Sequence, residues 1–308
     1  MHTSRVSRGL KIAIGVTVAV ASFIWAFAGV DRAALMQALR SASAVWIIAG
    51  VLSVAVSLGC IVWRWWFLLD RPLRGVPPAG PWAVLVSATL AAQMANIIVP
   101  FRIGDGVRIV AASRTLALGP ARAASAAVIE RLADIVALGL VAAALMVTGV
   151  APAWARAALL TSSWRAVGVA VVAVAAAVAI AWFGAQRISV LPSASSLRWA
   201  AVASLAVPAS SALTNFLVFR AFDLAVPAAA ALLLMVVLQA GTAIVAVPGG
   251  LGVSQLLTVK TLAIWQIAPT DALAFSLVLY VVANLPKLLL LPVAMAAASR
   301  SQVGVAGV

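Results

Sequence analysis

The sequence predicts an all-α integral membrane protein, and three observations carry that prediction. Of its 308 residues 65% are hydrophobic and only 9% charged, against about 45–50% apolar and about 25% charged in ordinary soluble domains; the mean hydropathy is +1.17. The apolar residues are gathered into runs of the roughly 20 residues that a helix needs to cross about 30 Å of hydrocarbon. Two further runs break at Pro-Gly segments, one of them "NIIVPFRIGDGVR" from Asn96 to Arg108, which sets two arginines and an aspartate in an otherwise apolar surrounding.

Six runs read as full crossings: about 10–30, 45–69, 123–150, 166–184, 199–222 and 271–298. The first has the basic start of a signal peptide, and Ala26-Phe27-Ala28 resembles a cleavage site. Its apolar body exceeds the roughly 7–15 residues of a signal h-region and more spans follow, so it is expected to stay as an uncleaved helix. The runs 82–99 and 228–247 end in Pro and Gly and are each followed by a more polar helical stretch. They read as re-entrant helical hairpins, about 82–119 and about 228–266.

Charge placement supports the hairpins. With Arg5, Arg8 and Lys11 inside, the loop carrying Arg71 and Arg74 is also inside, as the positive-inside rule requires. A full crossing of 82–99 would leave Arg102, Arg108, Arg114 and Arg122 outside. A hairpin keeps them inside with Arg187, Arg198 and Arg300, leaving Arg32, Arg40, Arg156 and Arg165 outside. Both termini are then cytoplasmic. An interrupted backbone is tolerable at membrane depth only when buried in protein or lining a wet cavity.

The two breaks also resemble each other. "VPFRIGDG" from Val99 and "VPGGLGVS" from Val247 share Val-Pro, an aliphatic residue three positions after Pro and Gly at the fourth; upstream stand Val62-Trp63-Arg64 and Val218-Phe219-Arg220. The expected organisation is a single polytopic domain over 1–308, with repeat 1 at about 10–150 and repeat 2 at about 166–298. Three crossings per copy reverse the second, giving an inverted-topology repeat of the kind that places a transporter's site near the midplane.

Several function classes are excluded by composition. The formal charge of +14 comes from arginines scattered singly between apolar runs, not from the dense basic stripe that a nucleic acid requires. Cys60 and His2 are the only residues of their types, so no intramolecular disulfide, thiolate metal cluster or Ser-His-Asp arrangement is expected. "IGDG" and "PGGLG" follow no soluble strand and lack a P-loop Lys-Ser/Thr. No enzyme, metal or cofactor is therefore expected.

The chemistry is expected at the breaks and the span after the first. Arg102, Asp105 and Arg108 flank the break at Pro100 and Gly104; guanidinium forks match phosphate geometry, so the segment reads as a pocket for an anionic group or as interfacial charge fixing topology. Glu130, Arg131 and Asp134 lie on "VIERLADIVAL", with the two carboxylates four residues apart on one helix face. They read as partners for the hairpin arginines, as proton carriers or headgroup contacts, or as a structural ion-pair network. Pro248, Gly249, Gly250 and Gly252 form the second break, with Gln255 just beyond. Arg64 reads as snorkelling to an interface beneath a Trp belt or as a ligand contact, and Arg220 likewise. Lys260 and Lys287 set single ammoniums within apolar stretches, the latter beside Pro286 and Asn284. Trp82, Trp164, Trp182 and Trp199 read as interface anchors.

These motifs, taken together, resemble the flippase-like family named after the transmembrane region of lysylphosphatidylglycerol synthase. "NIIVPFRIGDGVR" resembles its Asn-x-x-x-Pro-x-Arg-x-Gly-(acidic)-x-x-Arg motif, "IERLADI" its Glu-Arg-x-x-Asp motif and "VPGGLGV" its Pro-Gly-Gly-x-Gly motif, in the expected order. The resemblance implies movement of lipids with charged, phosphate-bearing headgroups between leaflets, with aminoacylated phospholipids, glycolipids and polyprenyl phosphates as the candidate classes. It makes Asn96, Arg102, Asp105, Arg108, Glu130, Arg131 and Asp134 the functional candidates. Ser254-Gln255 stand where the family often has Arg-Glu, which removes one carboxylate and one guanidinium. The 308 residues carry no soluble aminoacyl-transferase domain, so lipid synthesis itself is not expected. The expected setting is a bacterial cytoplasmic membrane and the expected partner a membrane lipid. Two alternatives stand beside a flippase: an assembly partner of a lipid-modifying enzyme, with association to that enzyme or to a second copy, and an ion-coupled transporter of a small soluble anion.

Overall fold

The computed structural model describes residues 17, 20–22, 24–27, 30–69, 79–98, 103–115, 119–149, 192–244 and 247–303. The expected span 166–184, most of 10–30, and the site candidates Pro100 and Arg102 lie outside the described residues. All regular structure among the described residues is helical. In chain order it comprises α1 (Arg32–Ser41), α2 (Ala44–Leu69), α3 (Ala79–Ile98), α4 (Gly104–Thr115), α5 (Pro120–Val147), α6 (Ala194–Ala221), α7 (Ala229–Ile244), α8 (Val253–Leu262) and α9 (Pro269–Val303). Short 3₁₀ turns occupy Pro248–Gly250 and Ala263–Trp265.

Helices α2, α6 and the Pro269–Ala297 part of α9 are long and apolar enough to cross a membrane. At 1.5 Å per residue the 26 residues of α2 extend roughly 39 Å, more than the hydrocarbon thickness. Helix α5 is as long as α6, at 28 residues, but carries Arg122, Glu130, Arg131 and Asp134. It starts with Pro120 at its first helical position, where the missing N–H of proline costs nothing.

Helix α1 was not foreseen from hydropathy. "RAALMQALRS" is short and amphipathic, so it leaves no apolar run, yet the Ala33 N–H donates to Asp31 Oδ1 at 2.8 Å and Arg40 occupies the last turn. Cap and terminal charge each stabilise such a helix by about 0.5–1 kcal/mol.

The chain divides into two compact units. The first comprises Met1–Ala55, Ala91–Gly104 and Ser211–Leu289. Within it the Phe219 and Phe275 rings stack at 4.7 Å, the Thr214 hydroxyl donates to Ser53 Oγ at 3.1 Å, and the Asn215 side chain donates to the Ala231 carbonyl at 3.1 Å. Helices α7 and α8 pack on each other, with Gly241 opposite Leu257. The second unit comprises Val56–Leu90, Asp105–Ser210 and Leu290–Val308. Its core joins Val62, Trp65, Leu68 and Leu69 of α2 to Leu85 of α3, Ala112 of α4, Ala123, Ala126 and Ala127 of α5 and Ala200 of α6. The run of alanines on α5 lets large α2 side chains approach its backbone closely, the arrangement by which membrane helices associate without a hydrophobic driving force.

Both breaks have a visible physical cause in the first unit. Gly104 begins α4, and its N–H, an orphan donor at a helix start, donates to Asn96 Oδ1 at 2.8 Å. A Cβ at position 104 would lie 2.7 Å from that oxygen and 2.8 Å from the Ala92 carbonyl carbon, so no larger residue fits. Gly104→Ala is expected to cost about 1–3 kcal/mol through overpacking against backbone, read as a lower thermal unfolding midpoint of the purified protein. An unchanged midpoint would contradict this account of the turn. At the second break Gly249 has φ +58°, in the left-handed region that costs other residues roughly 1–2 kcal/mol. A Cβ there would lie 2.7 Å from the Tyr280 hydroxyl and 3.2 Å from the Ile97 carbonyl oxygen.

Candidate functional site

The charged residues of α2, α4 and α5 in the second unit form one network. At its centre is Glu130, 3% exposed, whose carboxylate accepts four hydrogen bonds. Oε1 receives Arg64 Nη2 and, at 3.3 Å, Arg108 Nη1; Oε2 receives Trp65 Nε1 and Arg108 Nη2. Arg64 and Arg108 are buried too, at 2% and 4%. The Arg108 guanidinium also sits over the Trp65 ring, 4.0 Å from its centroid, a cation–π contact strengthened by burial.

From this buried end the network reaches a wetter one. Arg64 Nη1 donates to Asp134 Oδ1 at 2.6 Å and to Ser204 Oγ of α6 at 3.4 Å. Arg131 holds Asp105 through a fork, Nη2 to Oδ1 at 2.6 Å and Nε to Oδ2 at 2.8 Å, and donates to Asp134 Oδ2 at 3.3 Å. Asp105 also pairs with Arg108 at 3.5 Å. The side chains of Arg131, Asp105 and Asp134 are 43%, 30% and 27% exposed. Among the described residues three guanidiniums thus meet three carboxylates.

The local sequence explains the placement. Arg108 follows Asp105 by one helical turn, and Arg131 precedes Asp134 by three residues, so each pair shares a helix face. Asp105 stands in the first turn of α4, where the helix dipole favours an anion. Glu130, Arg131 and Asp134 face the adjoining helices from one stretch of α5. Burying such charges is tolerable only when geometry and hydrogen bonds offset their desolvation; here the carboxylate that is most buried also has the most donors.

The structure changes two expectations. Arg64 is enclosed at 2% exposure and holds both Glu130 and Asp134. Arg108 is committed to Glu130 and does not present a free guanidinium fork, so the described part of the site is a balanced network rather than a cationic pocket. Trp65 and Ser204 join the network without having been singled out. Trp65 is the residue after Arg64 in "VWRWWFLL", and a Trp N–H inside a span needs a partner, which was the available signal.

The remaining described candidates lie in the first unit. Asn96 and Gly104 shape the first break. Pro248, Gly249 and Gly250 form the 3₁₀ turn of the second, with Gly250 and Gly252 at φ +67° and +79°. Gln255 is fully buried; its Oε1 accepts from the Gly252 N–H at 2.7 Å and from Ser254 Oγ at 3.1 Å. It therefore caps α8 in the way a glutamate at the third helical position would, while its Nε2 has no partner among the described residues. Lys260 is exposed, in the last turn of α8, with its ammonium 4.2 Å from the Trp25 ring centroid, and exposed Arg220 lies 5.9 Å from the Trp46 ring centroid. Lys287 donates to Asn284 Oδ1 at 3.1 Å.

These elements define a helical membrane protein with a charge network on α2, α4 and α5 that is buried at one end. The chain belongs to the lysylphosphatidylglycerol synthase transmembrane-region family, whose model matches residues 12–290. No individually curated protein matches it. Membership ties the chain to lipid metabolism or transport at a membrane.

Proposed function

We propose that the protein is a transporter that moves a lipid with a charged, phosphate-bearing headgroup between leaflets of a bacterial cytoplasmic membrane, and that it is not itself an enzyme. The observation that carries this reading is the gradient of exposure along the network, from Glu130 at 3% to Arg131 at 43%. Intramembrane charge is expensive and usually functional. The buried end, Arg64, Trp65, Arg108 and Glu130, acts as a rigid base. The wet end, Arg131, Asp105 and Asp134, can exchange internal ion pairs for those of a headgroup: a phosphate takes the Arg131 fork, and an ammonium, where the lipid carries one, takes a released carboxylate. Acyl or polyprenyl tails stay in the bilayer, so a small polar site suffices. Outward movement of an anion is favoured by about 2.3 kcal/mol per charge per 100 mV of inside-negative potential.

The paired helices around each break support the rest of the proposed architecture: six crossings, α3 with α4 and α7 with α8 as re-entrant hairpins, an inverted repeat and cytoplasmic termini. In this reading interrupted backbone lies where a substrate passes, as in transporters built from inverted repeats.

The test uses proteoliposomes with dithionite-quenchable lipids of zwitterionic, anionic, aminoacylated and polyprenyl-phosphate headgroups. Wild type is expected to speed loss of inner-leaflet fluorescence for one class. Arg131→Gln is expected to slow it by about tenfold, the worth of one charge-assisted fork. No acceleration for any headgroup by folded protein overturns the transporter reading, and an unaffected Arg131→Gln overturns the role of the wet end.

A further inference from the structure

Helix α9 carries a second polar feature, far along the chain from the network and not used by it. Tyr280, Asn284 and Lys287 follow one another at four and three residues, so they share one face of the helix. Lys287 Nζ donates to Asn284 Oδ1 at 3.1 Å, and Asn284 Nδ2 to the Tyr280 carbonyl at 2.9 Å. The Tyr280 side chain reaches the second break, where its hydroxyl abuts Gly249. Exposed Val281, Leu285, Leu288, Leu289, Val293 and Met295 flank Lys287 on both sides along the helix, so the ammonium lies within the hydrocarbon-facing stretch. Ten residues, roughly 15 Å of helix, separate it from Ala297, more than a four-carbon stem spans by snorkelling.

Lys287 pairs with no carboxylate among the described residues, and its partner there is a neutral amide. Among the described residues the Tyr280 hydroxyl is bonded to none, and in the same break the buried Gln255 Nε2 has no partner either. These groups are donors: an ammonium, a phenol and an amide N–H₂. A lone intramembrane ammonium is costly and is characteristically found facing a counter-ion or substrate path.

We propose that the Tyr280–Asn284–Lys287 face is a second binding subsite, for an oxyanion of the phosphate type, with Lys287 as the charge and Tyr280 as the orienting donor. It deepens the transporter reading by giving the substrate's phosphate a stop in the first unit, but binding at this face does not depend on translocation. The oxyanion is a lipid headgroup or a free phosphate, and the test separates the two.

The full-length protein in neutral detergent is titrated with phosphatidylglycerol and, separately, with sodium phosphate at constant ionic strength, following the thermal unfolding midpoint. Wild type is expected to be raised by at least one probe: phosphatidylglycerol alone assigns a lipid source, and sodium phosphate a free-anion source. Lys287→Met is expected to need about tenfold more of that probe for the same rise, as loss of a charged hydrogen bond implies. Lys287→Arg, which keeps the charge, should stay within about threefold of wild type. Tyr280→Phe should weaken the response by about threefold and carries the comparison should Lys287→Met fail to fold. A wild type raised by neither probe, or a Lys287→Met response equal to wild type, overturns the subsite. Loss of lipid flipping activity in every assay with this Lys287-dependent binding intact would overturn the transporter reading and leave the subsite standing.

Discussion

Glu130→Gln is expected to stop lipid translocation and to destabilise the protein by about 3–5 kcal/mol, the usual cost of removing one partner from a buried ion pair. The substitution is nearly isosteric, so packing survives. What changes is charge: Arg64 and Arg108, both buried, lose the carboxylate that each contacts, and Trp65 Nε1 meets an amide that supplies one oxygen instead of two. Among the described residues three guanidiniums then face two carboxylates, with the excess charge at the least exposed end. Chemical or thermal unfolding measures the stability term, and the dithionite assay the activity. A variant as stable and as active as wild type would show that Glu130 is neither base nor contact.

Arg64→Met should have a comparable effect, about 3 kcal/mol or more, for the complementary reason. Glu130 would keep Arg108 and Trp65, and Asp134 would keep Arg131, but the cluster would carry one excess carboxylate. The informative variant is the double one. Arg64→Met with Glu130→Gln leaves Arg108 and Arg131 facing Asp105 and Asp134, which restores neutrality. The double variant is therefore expected to be more stable than the sum of the single losses implies, by about 1–3 kcal/mol. Strict additivity would mean that the two groups act independently, which their direct pairing does not allow.

The parts of this fold that were legible in the sequence are those governed by hydropathy and by backbone chemistry. Helices α2, α6 and α9 follow from uninterrupted apolar runs. The ends of α3 and α7 and the starts of α4 and α8 fall where Pro and Gly occur in the sequence, and Gly104 and Gly249 turn out to be positions where a Cβ meets neighbouring carbonyl or hydroxyl oxygens. Helix α1 escaped because amphipathic sequence only ten residues long leaves no hydropathy signal. The candidate site was legible as a set of residues but not as a pairing. Spacing placed Asp105 beside Arg108 and Glu130 beside Asp134, yet it could not show that Arg64, seventy positions before Asp134, reaches across to both carboxylates of α5. Arg64 read either as an interface residue beneath a tryptophan belt or as a ligand contact, because depth in the bilayer is a one-dimensional argument and burial among helices is not. Tyr280 was passed over for a similar reason: its importance lies in touching Gly249, a contact with no signature in local sequence.

Gln255 shows how a departure from a family motif can keep a structural role while changing its chemistry. As the third residue of α8 it closes the helix start through Oε1, as a carboxylate would. It adds a buried N–H₂ without a partner, where a glutamate would have offered only acceptors. At position 255 the second break thus offers a donor where the family pattern has an acceptor, although the guanidinium of the preceding family position is lost with Ser254.

The central claim is that the buried Glu130 network is the working part of a lipid transporter. Its most direct test is the rate of dithionite-accessible fluorescence loss in proteoliposomes, wild type beside folded Glu130→Gln, at equal protein content, with the headgroup that wild type moves fastest. The account predicts rapid loss with wild type and a rate equal to protein-free vesicles with the variant. Wild type no faster than protein-free vesicles for every headgroup tested, or a variant as fast as wild type, would contradict it.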